Sequence, residues 1–198
     1  MNKLIALLSL LALPLTAFCQ NQASGSSPTP QQLIAATLGE VVKVNESYPG
    51  EELGKERRAK LRQVINPRFD FHEMSQRSLG SNWAGHPPEQ QKEFVDLFSD
   101  LMAKTYLSKV EQCARDTVKV EKDEVDGIKA MVKTTVIYKG ETFPLDYRLL
   151  LKDGQWRVYD VIVENIGLVA NYRNEFAGII RKDGFEGLLK QLREKSGK

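Results

Sequence analysis

Apolar side chains recur along this chain first at the three- and four-residue spacing of helices, then at the two-residue spacing of strands, and then at helical spacing again. Residues 31–46 place Leu33, Ile34, Leu38, Val41 and Val42 on one stripe, which Tyr48-Pro49-Gly50 ends. Residues 55–65 put Ala59, Leu61, Val64 and Ile65 beneath a basic face of Arg57, Arg58, Lys60 and Arg62. A shorter helix is expected over 70–79, with Asp70 as cap and Glu73 completing a capping-box-like pair. The strongest helical pattern covers 87–110. Pro87 and Pro88 suit its first turn, and Phe94, Val95, Leu97, Phe98, Leu101 and Met102 give it a wide apolar face.

At Thr117 the period changes to two. Four strands are expected, over 117–124, 128–138, 142–152 and 155–164, joined by turns at Asp126-Gly127, Lys139-Gly140 and Asp153-Gly154. That order predicts an antiparallel meander. The third strand alternates Phe143, Leu145, Tyr147, Leu149 and Leu151 against Asp146 and Arg148. The fourth is apolar on both sides, with Trp156, Val158 and Ile162 expected on one face and Tyr159, Val161 and Val163 on the other. Such a strand is covered twice or lines a cavity. Helices resume over 166–181 and 185–195, with Asp183-Gly184 as the break. Helices, then strands, then helices predict one α+β domain over 31–198, its curved four-stranded sheet wrapped by six to seven helices.

The first 19 residues carry one cation, Lys3, and then an apolar run from Leu4 to Phe18. This reads as an export signal, cleaved before Gln20, with a lipid-modified Cys19 as the rival reading. The run is too short to cross a bilayer, which takes roughly 20 residues. Residues 20–30 form a polar, Ser/Pro-rich tether in which disorder is expected. Removing 1–19 leaves 27 cationic against 26 acidic side chains, a balance of +1 that argues against nucleic acid as a partner. Only Cys113 then remains, so no internal disulfide is expected and the thiol reads as structural.

Chemistry-bearing residues are sparse. His72 and His86 lack carboxylates or thiols at metal-ligand spacing, and the glycines fall at turns with no phosphate-cradling pattern. Asp160, among Tyr159, Val161 and Ile162, is the one candidate general base. The favoured reading is nevertheless a structural carboxylate, hydrogen-bonded to a helix start or to an arginine such as Arg173. The lysines at 119, 122, 129, 133 and 139 give the first two strands a basic outer face. Aromatic residues are plentiful, and a filled core and a lined pocket look alike at this level.

Two motifs carry a resemblance. One is Arg77-Ser78-Leu79-Gly80-Ser81-Asn82-Trp83 followed by 88–95 and Phe98; the other runs from Trp156 to Ile166 into Leu168, Asn171-Tyr172-Arg173 and Phe176. With the closing stretch 182–189, they resemble the signature of the MlaC/toluene-tolerance family over about residues 31–195. Asn165 stands where Gly is common in that family, and Gly167 where Ser is common.

The resemblance implies a periplasmic phospholipid carrier with a cystatin/NTF2-like sheet around an apolar lipid cavity. It implies no enzymatic activity and no cofactor beyond the lipid cargo. The partners implied are an inner-membrane ABC transporter complex with its lipid-binding ring protein, and an outer-membrane lipoprotein complex; the carrier itself is expected to be a monomer. On that reading the acyl-contact candidates are Trp83, Phe94, Phe98, Leu101, Val132, Val136, Leu145, Tyr147, Leu149, Val158, Ile162 and Ile166, and the head-group candidates are Arg148, Arg157 and Arg173. The alternatives are an isomerase on a cone-shaped sheet with Asp160 as base, and an interaction module with a filled core.

Overall fold

The structure, a computed structural model, describes residues 27–114, 117–138 and 140–197. The expected export signal lies outside these residues. The chain enters through α1 (Pro30–Ser47), whose start is fixed by a complete capping box between Thr29 and Gln32. The end of the expected tether is therefore helical structure, because Thr29 caps and Pro30 suits a first turn. Helix α2 (Gly54–Ile65) leads through a 3-10 turn to α3 (Phe71–Leu79). Asp70 caps α3 by accepting from the Glu73 N–H at 2.8 Å, but the Glu73 carboxylate turns to Arg77 and Lys152 instead of closing a box. A second 3-10 turn carries Trp83 into α4 (Pro88–Val110).

The sheet then forms as a meander of β1 (Val118–Asp126), β2 (Lys129–Tyr138), β3 (Glu141–Lys152) and β4 (Gln155–Val163). A fifth strand, β5 (Ile166–Gly167), pairs with the end of β4, and the strand order follows the chain. Val163 faces Ile166 across a two-residue turn, Glu164-Asn165, in which both residues have positive φ, 49° and 68°. Asn tolerates that conformation well, so Asn165 fills a position that otherwise favours Gly. This hairpin corrects the expected helix start at Ile166: α5 (Leu168–Ser196) begins two residues later. The expected break at Asp183-Gly184 is present within it: Gly184 leaves helical geometry at φ 71° and ψ 178°, so α5 is two helical segments joined at a kink. Among the described residues there are five α-helices, two 3-10 turns and five strands, rather than six to seven helices and four strands.

Register places Val132 opposite Tyr147, and Tyr147 opposite Val161; Ala130 pairs with Leu149, and Leu149 with Val158. One face of the sheet therefore carries Val118, Val120, Ala130, Val132, Val136, Phe143, Leu145, Tyr147, Leu149, Trp156 and Val158. In β4 the pairing steps from Arg148/Asp160 to Leu149/Val158, leaving Tyr159 as an extra residue. That bulge reverses the alternation, so Val161 and Val163 join Val158 on this inner face while Asp160 and Ile162 point the other way. The expected grouping of Ile162 with Trp156 and Val158 is corrected accordingly.

Buried apolar residues form three groups. The first is an aromatic helical core of Trp83, Phe94, Phe98, Leu101, Tyr172, Phe176 and Phe185 with their neighbours on α3, α4 and α5. The second joins Leu33 and Ile34 of α1 to Ala130, Val132, Leu149, Val158 and Val161 of the sheet. The third ties Val41, Leu61 and Leu107 where α1, α2 and the end of α4 meet. Phe69 and Leu168 pack against both the first and the second group, so they mark the seam between helices and sheet.

Candidate functional site

Helix α1 roofs part of the inner face. It is held there by the sheet's own edge: Asp123 accepts from the Gln31 N–H at 3.2 Å, and the Gln31 side chain donates to the Glu121 carbonyl at 2.9 Å. An acidic side chain at a helix start is favourable, because the unpaired N–H groups there carry partial positive charge. Leu33, Ile34 and Leu38 then lie against Val132, Leu149 and Val158. The helical bundle, by contrast, meets the sheet chiefly through β4 and β5. The remainder of the inner face, Val118, Val120, Val136, Phe143, Leu145, Tyr147 and Val163, is only half-buried. A row of half-covered aliphatic and aromatic side chains therefore runs along the inner face of the sheet.

The acyl-contact candidates divide over this plan. Val132, Val136, Leu145, Tyr147, Leu149 and Val158 share the inner face. Trp83, Phe94, Phe98 and Leu101 sit in the aromatic core, where Phe98 meets Tyr172 and Phe176 edge-on at 5.1 and 5.4 Å. The two sets are not one buried cluster; Phe69 and Leu168, which periodicity alone does not single out, stand between them. Ile162 lies on the outer face, and Ile166 is 62% exposed at the β4–β5 turn.

The three arginines are each engaged at a different place. Arg148 pairs with Asp160 at 3.2 Å; Arg157 donates to the Pro67 carbonyl at 3.1 Å; Arg173 donates to the Arg77 carbonyl near the end of α3 at 2.7 Å. None is gathered with another into an anion-binding cluster by these bonds.

Asp160 is 3% exposed, and both its oxygens are spent. One accepts from the Val169 N–H at the start of α5 at 3.0 Å, and the other takes Arg148. Gly167 lets it sit close, since a Cβ there would stand 2.8 Å from the carboxylate and make it shift. A general base needs an oxygen open to substrate. Asp160 has none, so its role is the helix-start reading, with Arg148 rather than Arg173 as the arginine.

Two clefts open elsewhere on the surface. One of about 380 Å³ lies between α4 and α5, lined by Glu89, Lys92, Glu93, Asp96, Leu97 and Arg193. The other, about 260 Å³, is on the outer sheet face beside Lys129, Met131, Arg148 and Tyr159. Both have charged linings that suit water rather than hydrocarbon.

A curved antiparallel sheet with a half-covered apolar inner face, roofed by one helix and flanked by an aromatic bundle, defines an α+β binding domain built around hydrocarbon contact. The chain belongs to the MlaC protein family, whose model matches residues 34–194. It is 20% identical over 195 residues to the intermembrane phospholipid transport system binding protein MlaC of Haemophilus influenzae, covering 94% of this chain and 91% of that one. It also matches the solved phospholipid-binding protein from Ralstonia solanacearum, which was determined in complex with a phospholipid. That likeness has a TM-score of 0.76 and 29% identity, over 84% of this chain and 96% of the other.

Proposed function

We propose that this protein is a periplasmic carrier of phospholipid that holds acyl chains between the inner face of the sheet and the helices. The observation that carries this reading is the half-buried row from Val136 through Leu145 and Tyr147 to Val163, on a fold shared with a protein solved around a phospholipid. Each methylene moved out of water gains about 0.8 kcal/mol, so two chains of about 15 methylenes represent roughly 24 kcal/mol. A ligand that apolar does not cross water unaided. It needs an apolar sleeve and direct transfer at docked partners, and no bond has to be made or broken.

The acyl contacts proposed are Val132, Val136, Leu145, Tyr147, Leu149 and Val158 from the sheet, with Phe98 and Leu101 behind the seam that Phe69 and Leu168 form. The name of the Haemophilus relative supports transport between membranes. The docking partners on that reading are an inner-membrane ABC transporter complex with a lipid-binding ring protein and an outer-membrane lipoprotein complex. Transport between them would maintain the lipid asymmetry of the outer membrane.

Native mass spectrometry with solvent extraction, on protein purified from a bacterial periplasm, tests the reading. A stoichiometric phospholipid is expected. Protein that carries none and refuses lipid added from vesicles would overturn it.

A further inference from the structure

Helix α1 belongs to two parts of the molecule. Leu33, Ile34 and Leu38 of its first half pack in the sheet cluster, whereas Val41 and Val44 of its second half pack at the junction with α2 and α4. The polar ties divide at the same place. Gln31 fastens the first half to the sheet edge, at Asp123 and the Glu121 carbonyl. Asn45 fastens the second half to the carbonyls of Val110 and Cys113, at 3.0 Å each, and Glu40 lies 3.5 Å from Arg68.

Gly39 stands between the two halves. Inside a helix, glycine is less favourable than any residue except proline. A crowded neighbour or a positive φ can require it, but Gly39 is exposed, has no positive φ, and would carry a Cβ with nothing within 4 Å. Neither packing nor backbone conformation asks for glycine there. Two residues earlier the buried Thr37 hydroxyl donates to the Leu33 carbonyl at 2.7 Å, a back-bond that favours bending. Meanwhile Val132, Leu149 and Val158, each 0% exposed, share a cluster with Leu33 and Ile34. An acyl chain reaches those three residues only where the cover lifts.

We propose that residues 30–38 form a lid, hinged at Gly39 and caught at Gln31, that lifts from the inner face and comes to rest on the acyl chains of a bound phospholipid. The lid rests on the carrier reading above. Opening breaks the Gln31 bonds and uncovers one patch of the sheet, while Val41, Val44 and Asn45 keep the second half against α2 and α4. Leu33 and Ile34 then cover hydrocarbon in place of Val132, Leu149 and Val158, so their apolar burial is exchanged rather than lost. Glycine suits the pivot, because it reaches a bent geometry at less cost than a residue with a Cβ.

The test is the rate at which the protein takes phosphatidylglycerol with a fluorescent acyl chain from vesicles. Gly39→Ala is expected to raise Tm by about 2–4 °C and slow uptake about fivefold. Gln31→Ala, which loses the bond to Glu121, is expected to quicken uptake about threefold. A helix that merely props the fold would not make the stabilised variant slow and the loosened one fast. Equal rates in wild type and both variants overturn the lid; lipid refused by all three overturns the carrier reading and the lid with it. Spin labels in Cys113→Ala protein give a second measurement, placed at the exposed residues Gln32 of the lid and Lys119 of the sheet. Loading with phosphatidylglycerol is expected to lengthen that distance by about 4 Å, the thickness of one interposed contact layer, and to leave a Lys43–Lys119 pair unchanged. Loaded protein in which neither distance moves, or both move together, overturns the hinge.

Discussion

Replacing Asp160 separates a structural carboxylate from a catalytic or cargo-facing one. Asp160→Ala removes the acceptor of the Val169 N–H at the start of α5 and strands that donor in the interior, at about 1–2 kcal/mol. The partner Arg148 is 42% exposed and turns back to water, so the lost ion pair adds no more than about 1 kcal/mol. The sum is about 2–3 kcal/mol. Asp160→Asn keeps an oxygen for Val169 and loses only the charge opposite Arg148, about 1 kcal/mol. In a domain of this size each kcal/mol lowers Tm by about 2–4 °C, so falls of roughly 8 °C for Ala and 3 °C for Asn are expected. Circular dichroism melts at pH 7 measure both, and lipid extracted from each variant should equal wild type. Two equally small shifts, or lost lipid with an unchanged Tm, would refute the capping argument.

Further predictions concern the inner face, the aromatic core, and the latch that Lys152 of β3 makes with Asp70 and Glu73 at the start of α3. Burial opposes ionisation of Asp70 and Glu73, but hydrogen bonds from Lys152 at 2.7 and 2.9 Å outweigh it and hold both carboxyls below their ordinary values of 3.8 and 4.5. A depressed folded pKa stabilises above the unfolded value and is lost as pH falls through the folded one. Lys152 is likewise held above 10.5 by the pair, despite desolvation, and loses its contribution as pH rises through its folded pKa. Wild type should therefore lose stability faster than Lys152→Met in urea titrations taken from pH 5 to pH 3; parallel losses would exclude the latch. Val136→Trp, half-buried between Val118 and Phe143, should cut bound lipid while moving Tm by only a few degrees. Phe98→Ala, within the aromatic core, should cost about 4 kcal/mol and lower Tm by more than 8 °C. Comparable loss of stability in both variants would contradict the separation of the two regions.

The inner face of β3 was legible because Asp146 and Arg148 break its alternation and leave a single assignment for Leu145, Tyr147 and Leu149. The face of β4 was not. Its residues from Val158 to Val163 are apolar on both sides except at Asp160, so a bulge at Tyr159 leaves no trace in the alternation. The break at Asp183-Gly184 was legible, because Gly takes the positive φ that interrupts a helix, and the segment after it is anchored by Phe185, Leu188 and Leu189. The stripe on α1 shows that the helix is buried but not against what. Its roofing role comes from Asp123 and Glu121, 92 and 90 residues away from Gln31, and no local pattern holds a pairing of that range.

The division of the core has a consequence for exchange. Rings stacked edge-on across α4 and α5, together with the α1–α2–α4 junction, bury apolar area without calling on the uncovered half of the sheet. At that junction Arg57 holds the carbonyls of Tyr48 and Gly50 and the carboxylate of Glu111, while Asn45 holds the carbonyls of Val110 and Cys113 at the end of α4. Stability is thus concentrated in helix–helix contacts and in polar clamps at the helix ends. A protein whose whole core had to re-form around each cargo would lose several kcal/mol on release, because cavities in close-packed interiors are costly. Here Val136, Leu145 and Tyr147, among the residues proposed to touch acyl chains, are half-covered before cargo arrives, while Val132, Leu149 and Val158 are already packed. On the carrier reading, loading then gains apolar contact and unloading forfeits little of what holds the fold together.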